Sequence, residues 1–243
     1  MPLYMLDDTL RFPPAAHAED DLDGLLAIGG DLRPERLLQA YASGIFPWPS
    51  EEVPLAWFSP NPRMLLEWDE LRVTRSLRRS LRRPWRRTMD EAFGEVVRAC
   101  SAIPRTHESG TWISSDIVEA YERLHALGFA HSVEVWDEDG ALIGGLYGVS
   151  IGRVFCGESM FHRVADASKV AFAVLARQLE RWDFAFLDCQ LHTPHLERLG
   201  ATTWDRADYL MRLAEVVRSP SRRGSWALDE ALAHGWQDDP AAP

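Results

Sequence analysis

Asp188 and Gln190 stand two residues apart at the end of an apolar run, Phe186-Leu187-Asp188-Cys189-Gln190, and His192-Thr193-Pro194-His195 follows. On a strand that spacing aims a carboxylate and a carboxamide at the same face. Polar groups at the C-terminal end of a strand, beside a helix start, commonly line a ligand crevice. The bland alternative is that Asp188 caps a neighbouring helix and Gln190 is a loop residue. Glu158, in Gly157-Glu158-Ser159-Met160-Phe161, is a second candidate, because a glycine before it suggests a break in strand geometry that could open a cleft. Its alternative is an ordinary strand-end carboxylate paired with Lys169, the single lysine of the chain, or with an arginine. With Glu134 these groups would form an acidic concavity. Cys189 could be a nucleophile, but strand geometry points it away from Asp188 and Gln190, as a small buried hydrophobe. The His192/His195 spacing can bind zinc, yet no third ligand is evident, so no metal is expected.

A different chemistry is written between Arg72 and Arg87, where eight arginines occur without one acidic residue. A solvated helix face normally mixes signs, because like charges three or four residues apart repel. An all-arginine face is relieved by a polyanion through charge neutralisation and counterion release. The net charge of −11 is therefore that of an acidic body carrying one basic patch, and nucleic-acid backbone is the expected target.

The elements that must position these groups can be read from periodicity. Residues 1 to about 62 look like a small N-terminal unit, with a helix opening at Pro34 and stopping at Gly44, its stripe made of Leu37, Leu38 and Tyr41. The Pro- and Trp-rich stretch from Phe46 to Pro62 reads as a rigid connection. The arginine segment, 72–87, reads as a helix, with Pro84 as its expected end. Asp116 to Leu127 is a helix capped by Ser115 or Asp116. Strands follow at 131–136, 141–149 and 153–156, joined by tight turns into an antiparallel meander. A helix from Asp166 to Trp182, a strand from Phe184 to Asp188 and a short helix from Pro194 to Leu199 complete the order. Strand, strand, strand, helix, strand resembles the core of the GNAT acyltransferases, so an α/β (α+β) fold with a GNAT-like meander sheet, flanking helices and a small N-terminal domain is expected. The division is 1–62 and 63–243. Where GNAT enzymes carry a glycine-rich pyrophosphate loop, this chain reads Phe161 to Ser168 without a glycine. Acetyl-coenzyme A is accordingly an unsuitable donor, and no cofactor is expected.

Hydrophobic content of 46% and ten tryptophans suit a packed globular protein. No apolar run approaches the ~18 residues that span a bilayer, and the first residues lack the regions of a signal peptide. Three scattered cysteines make neither a disulfide framework nor a Cys-x-x-Cys site. A cytoplasmic, monomeric protein is the expectation, and only residues 237–243 look disordered.

Several blocks together carry a resemblance: Gly-Ile-Phe-Pro-Trp at 44–48, Trp-Phe-Ser-Pro at 57–60, Gly-Thr-Trp-Ile at 110–113, Cys-Gly-Glu-Ser-Met-Phe at 156–161, Ala167-Ser168-Lys169, and Asp188-Cys189-Gln190. From Gly24 to about Tyr209 the chain resembles the bacterial leucyl/phenylalanyl-tRNA–protein transferases. These move an amino acid from its tRNA to the N-terminus of an acceptor protein beginning with Arg or Lys, which marks it for N-degron proteolysis. The resemblance implies Asp188 and Gln190 as the catalytic pair. It implies Trp48 and Trp112 against the terminal adenosine, Glu158 at the amino-acid end, and Leu146, Phe155 and Leu187 around the Leu or Phe side chain. Arg75, Arg79, Arg82 and Arg83 would bind tRNA. Some members carry Met where Leu146 stands, which bears on preference among Leu, Phe and Met, and some carry Asn where Thr193 stands. The competing classes are a coenzyme-A-dependent N-acetyltransferase and a non-catalytic RNA-binding module.

Overall fold

The computed structural model describes residues 3–49, 55–103 and 112–236. The expected disordered tail and the first two residues of the block at 110–113 lie outside the described residues. The N-terminal unit is a small sheet with one helix: β1 (Tyr4–Leu6), β2 (Leu25–Gly29), α1 (Pro34–Ala42), β3 (Phe46–Pro47) and β4 (Ala56–Phe58), in spatial order β1-β2-β4-β3. Pro34 occupies the first turn of α1, where its missing N–H costs nothing. Gly44 ends the helix with φ 75°, and a Cβ there would lie 2.5 Å from Leu210. Only glycine lets the chain turn this close to its neighbour.

The larger sheet is built from β5 (Arg63–Leu66), α2 (Arg75–Leu81), β6 (Arg86–Met89), α3 (Phe93–Ser101), α4 (Ser115–Ala126), β7 (Ala130–Trp136), β8 (Leu142–Ile151), β9 (Val154–His162), α5 (Ala167–Arg181), β10 (Phe186–Gln190), α6 (Pro194–Arg198), β11 (Thr202–Trp204), α7 (Arg206–Val216) and α8 (Glu230–Ala233). Its order is β11-β5-β10-β9-β8-β7-β6. The meander β7-β8-β9 is antiparallel as expected, and α5 returns the chain so that β10 lies parallel to β9. One face of the sheet packs against α1, α3, α4 and α7, in a core that runs without a break into the N-terminal sheet. The other face packs against α2, α5 and α8. The molecule is thus a mixed α/β fold with a small N-terminal domain.

Three readings need correction. The arginine segment is not one helix over 72–87: Thr74 caps α2 by accepting the Leu77 N–H, and Arg82 ends it. After Pro84 the chain joins the sheet as β6, pairing Arg86 with Trp136. Ser114, not Ser115 or Asp116, caps α4, with its hydroxyl accepting from the Ile117 N–H. The third meander strand continues past Cys156 to His162, carrying the Glu158 region inside the sheet rather than beyond it.

The parallel pair is the feature that makes a site. β9 and β10 stay in register only from Val154↔Phe186 to Cys156↔Asp188. Beyond that β9 stays with β8, while β10 follows β5 through a bulge, so the two strands part.

Candidate active site

Two irregularities place the polar groups in the parting strands. In β9 the register with β8 jumps from Ser159↔Tyr147 to Gly157↔Gly148, so Glu158 is the extra residue of a bulge. Gly148 permits it, since a Cβ there would meet the Cys156 carbonyl oxygen at 2.2 Å. In β10 the bulge falls between Asp188 and Gln190, and Gln190 takes a left-handed φ of 61°. That conformation costs a non-glycine residue roughly 1–2 kcal/mol, offset here by the Gln190 N–H donating to Asp188 Oδ1 at 2.9 Å.

The turn separates the two residues that the spacing put on one face. Asp188 is fully buried, away from the cavity described below. Arg63 from β5 holds it with both arms, Nε to Oδ1 at 2.8 Å and Nη2 to Oδ2 at 2.7 Å, and the Tyr209 hydroxyl donates to Oδ2 at 2.8 Å. The guanidinium lies over the rings of Phe46 and Tyr209, 4.9 and 4.6 Å from their centroids. Burial works against the Arg63 charge, but the Asp188 carboxylate prevails and holds its pKa above the ordinary value. Asp188 is therefore paired and turned from the cavity, and meets Gln190 only through its backbone N–H.

Gln190 and Glu158 face each other across the gap, with Gln190 Nε2 donating to Glu158 Oε1 at 2.8 Å. Tyr41 from α1 donates to Oε1 at 2.7 Å and Tyr121 from α4 contacts Oε2 at 2.8 Å. The two tyrosine hydroxyls also touch each other. Burial pushes the Glu158 carboxyl up to about 7, against the pull of its three hydrogen-bond partners and with a further push from Asp188. Lys169 pairs instead with Asp166 at 2.7 Å.

Between the strands lies a cavity of about 370 Å³. Leu146, Met160, Phe172, Leu175, Leu187 and Leu196 make its apolar wall, and Phe46, Trp48 and Trp112 an aromatic side. Glu158, Gln190, Thr193 and His195 supply polar atoms. The size and the balance of an apolar wall with a few convergent polar groups suit a small organic group. Of the expected lining residues, Leu146, Leu187, Trp48, Trp112 and Glu158 are present. Phe155 is not: it is wholly buried beneath, 5.9 Å from the Trp226 ring. Glu134 is also absent, because it is buried on β7 with Ser132 and Thr88 donating to it. The expected acidic concavity reduces to Glu158, the one acidic residue among the described lining residues.

Cys189 does point away from Asp188, but towards the cavity, which it lines. Burial and the Asp188 charge push its thiol well up, so it is no thiolate. His195 lines the cavity as well, and burial lowers its pKa, which keeps the ring neutral at pH 7. His192 is exposed beside Glu197. Among the described residues, Asp90, His125 and His131 come close enough together to share a metal. The Nδ1 atoms are already engaged, His131 Nδ1 with Asp90 at 2.8 Å and His125 Nδ1 with the Ala130 carbonyl at 2.8 Å.

Sequence reasoning missed Arg63, Tyr209, Tyr121 and the hydroxyl of Tyr41. The tyrosines lie on apolar stripes where Leu would pack as well; a tyrosine in such a place signals a buried hydrogen bond. Arg63 left no periodic trace.

The arginines divide. Arg75, Arg79, Arg82 and Arg83 are exposed, the last stacked 4.8 Å over Trp85. Arg87 is buried and donates to the Leu81, Leu232 and Gly235 carbonyls, a clamp on the C-terminal segment. Arg86 pairs with Glu91 at 2.6 Å. α2 packs on α5, where the Ser80 hydroxyl donates to Asp166 at 3.0 Å, so the basic patch and the cavity wall share one layer.

Comparison with known proteins decides the family. Residues 65–214 match the profile of the leucyl/phenylalanyl-tRNA protein transferases, and residues 30–61 that of their N-terminal domain. A curated leucyl/phenylalanyl-tRNA–protein transferase of Thiobacillus denitrificans is 56% identical over 90% of this chain and 95% of its own. That of Myxococcus xanthus is 52% identical over 93% and 97%. The chain belongs to the leucyl/phenylalanyl-tRNA–protein transferase family. Among solved structures, L-PGS from Bacillus licheniformis overlaps 79% of this chain and 64% of that one, a slight likeness with a TM-score of 0.40 at 10% identity. For this member of the leucyl/phenylalanyl-tRNA–protein transferase family, the cavity, the bulged strands and the exposed arginines all fall within the matched spans.

Proposed function

We propose that this family member transfers Leu or Phe, and Met with them, from aminoacyl-tRNA to the N-terminal Arg or Lys of acceptor proteins, on a GNAT-like core divided near residue 62 from its N-terminal domain. The observation that supports it most is the gap between β9 and β10, where Gln190 and Glu158 meet beside an apolar cavity. The exposed Arg75, Arg79, Arg82 and Arg83 supply a handle for the tRNA backbone. Trp48 and Trp112 offer rings for its terminal adenosine, where stacking is worth ~1–3 kcal/mol per base. Leu146, Leu187 and their neighbours take the amino-acid side chain. A pocket of this kind sorts by volume, with discrimination of about 1–3 kcal/mol per methylene.

The chemistry asked of the protein is modest, because the ester is already activated. An α-amine has a pKa of about 7.7–8.0, so a useful fraction is neutral near pH 7. Gln190 donates its amide hydrogen to Glu158, which leaves its carbonyl oxygen to accept an N–H of the incoming amine and hold it for attack. The C–N bond forms as the bond from carbonyl carbon to ribose oxygen breaks, and the amine proton ends on that oxygen, directly or through the adjacent ribose hydroxyl. Placement supplies most of the rate, since effective molarities can reach ~10⁵ M or more. Asp188 acts through Gln190, fixing its backbone. The donor loop from Phe161 to Ser168 has no glycine to approach a pyrophosphate, which disfavours coenzyme A. A cytoplasmic monomer is part of the same reading.

The test is incubation with labelled leucyl-tRNA and two peptides differing only in their first residue. Label on the Arg-initiated peptide and little on the Ala-initiated one is the expected result. Absence of transfer to either at low ionic strength would contradict the reading.

A further inference from the structure

Four oxygens joined by three contacts close a ring behind Gln190. Tyr41 Oη meets Glu158 Oε1 at 2.7 Å, Tyr121 Oη meets Glu158 Oε2 at 2.8 Å, and Tyr41 Oη meets Tyr121 Oη. Each oxygen–oxygen contact at such range needs one hydrogen between its atoms. Three contacts need three hydrogens, and the two phenols carry one each. With Glu158 ionised, either one contact sets lone pair against lone pair or a carboxylate oxygen loses its donor. With Glu158 protonated the count closes: Oε2–H donates to Tyr121, Tyr121 to Tyr41, and Tyr41 to Oε1, which also accepts from Gln190. The amide of Gln190 suits this state, since its hydrogen goes to the carbonyl-like oxygen.

We propose that Tyr41 and Tyr121 hold Glu158 as a neutral acid in the free protein, and that the acid gives its proton to solvent when a cationic amine enters the cavity and takes its place as the partner of the carboxylate. This rests on the cavity's reading as an aminoacyl-transfer site for the identity of the amine. It assigns Tyr41 and Tyr121 a positioning role that family likeness at Glu158 alone does not supply.

The surroundings are consistent with a neutral acid. Glu158 is contacted by Tyr41 from α1, Tyr121 from α4 and Gln190 from β10, with Asp188 and Cys156 nearby and Tyr147 from β8 packed against the Tyr121 ring. Burial pushes the two phenols and the thiol here upward, so Tyr41, Tyr121 and Cys156 remain neutral. The charges nearby are Asp188, which adds to the upward push, and Arg63, which is held in a bidentate pair with Asp188. No cation in contact with Glu158 is present among the described residues to hold it ionised. Burial of an unpaired carboxylate is costly, and protonation avoids that cost. An arriving ammonium reverses the balance, because opposite charges a few ångströms apart favour the ionised form.

The experiment begins with the free protein. Glutamate side-chain carboxyls are labelled with ¹³C, and Glu158 is assigned by its loss in Glu158→Gln. The expected signal is that of a protonated carboxyl at pH 6, moving to the carboxylate through about pH 7. A carboxylate signal at pH 6 overturns the proposal. Glu158→Gln mimics the neutral acid, with one amide hydrogen for Tyr121 and a carbonyl for Tyr41, so it should fold. A carboxyl whose folded pKa is raised binds its proton more tightly in the native state. Its contribution is present in full below the unfolded value and is lost as pH rises through the folded one. The wild type should therefore lose melting temperature relative to Glu158→Gln between pH 4.5 and 7. A constant difference across that range argues against the ring. Binding of 3′-leucylamido-adenosine, measured calorimetrically at pH 6 in buffers of different ionisation enthalpy, should release close to one proton per site in the wild type and none in Glu158→Gln. Binding without release overturns the second half of the proposal. Failure of the probe to bind, with a neutral carboxyl in the free protein, would instead overturn the assignment of the cavity to an aminoacyl end.

Discussion

On the proposed function, Asp188 is a residue that matters to a reaction it does not touch. Its carboxylate accepts from both arms of Arg63, from Tyr209 and from the backbone N–H of Gln190. Asp188→Asn removes the charge and one acceptor while nearly keeping the shape. Arg63 is then a buried cation without its counterion, and breaking such a pair costs about 3–5 kcal/mol. The left-handed backbone of Gln190 loses its anchor at the same time. The expected outcome is a large loss of stability in urea denaturation together with a single-turnover rate lower by roughly 10²-fold, the scale of general-base effects. A mutant with unchanged chemistry would refute the positioning role. The sequence showed that Asp188 and Gln190 belong together, because their residue types and nearness are local facts. It could not show that they face opposite ways, because one non-glycine residue with positive φ undoes strand alternation and leaves no compositional mark. Nor could it show Arg63, whose meaning comes from a partner 125 positions along the chain.

At the scale of elements, the meander and the crossover helix were legible because each carries its own period, two for the strands and 3.6 for α5. The strands at the sheet margins were not: β5, β6 and β11 are three or four residues long, too short for alternation to register. The cavity walls fall between these cases. Phe172 and Leu175 sit three apart on α5 and both are buried, and a helical period marks a buried face without distinguishing a packed core from a lined pocket. The arginine segment was read correctly in charge and too long in extent, because eight arginines announce a polyanion partner but not which of them point outward. Arg75 and Arg79 lie one turn apart on α2, both exposed. Each phosphate they neutralise contributes roughly 0.7–0.9 to the slope of log affinity against log salt. The double variant Arg75→Ala/Arg79→Ala is expected to bind tRNA more weakly and with that slope reduced by about 1.5. Its melting temperature should be unchanged, since neither side chain is buried. An unaltered salt slope would remove α2 from the tRNA-binding surface.

On the proposed function, the whole molecule places three tasks on one scaffold. A sheet whose parallel pair parts near its middle provides the cavity. A helix layer on one face supplies both the cavity wall and the basic patch. The opposite layer, joined to the N-terminal domain through one core, supplies Tyr41 and Tyr121. Trp48 and Phe46 reach the cavity from the N-terminal sheet, so the smaller domain completes the site and does not merely precede it. This joint construction explains why the resemblance blocks are scattered along the sequence from residue 44 to residue 190. It was legible only as scattered blocks, because the contacts that unite them join distant positions.

The central claim is that the amide of Gln190, held in the gap between β9 and β10, orients the attacking amine. The most direct measurement is single-turnover transfer from leucyl-tRNA to an Arg-initiated peptide by Gln190→Ala, at saturating tRNA, alongside the tRNA dissociation constant. The account predicts a rate lower by about 10²-fold or more with tRNA affinity unchanged. A wild-type rate in that variant would contradict it.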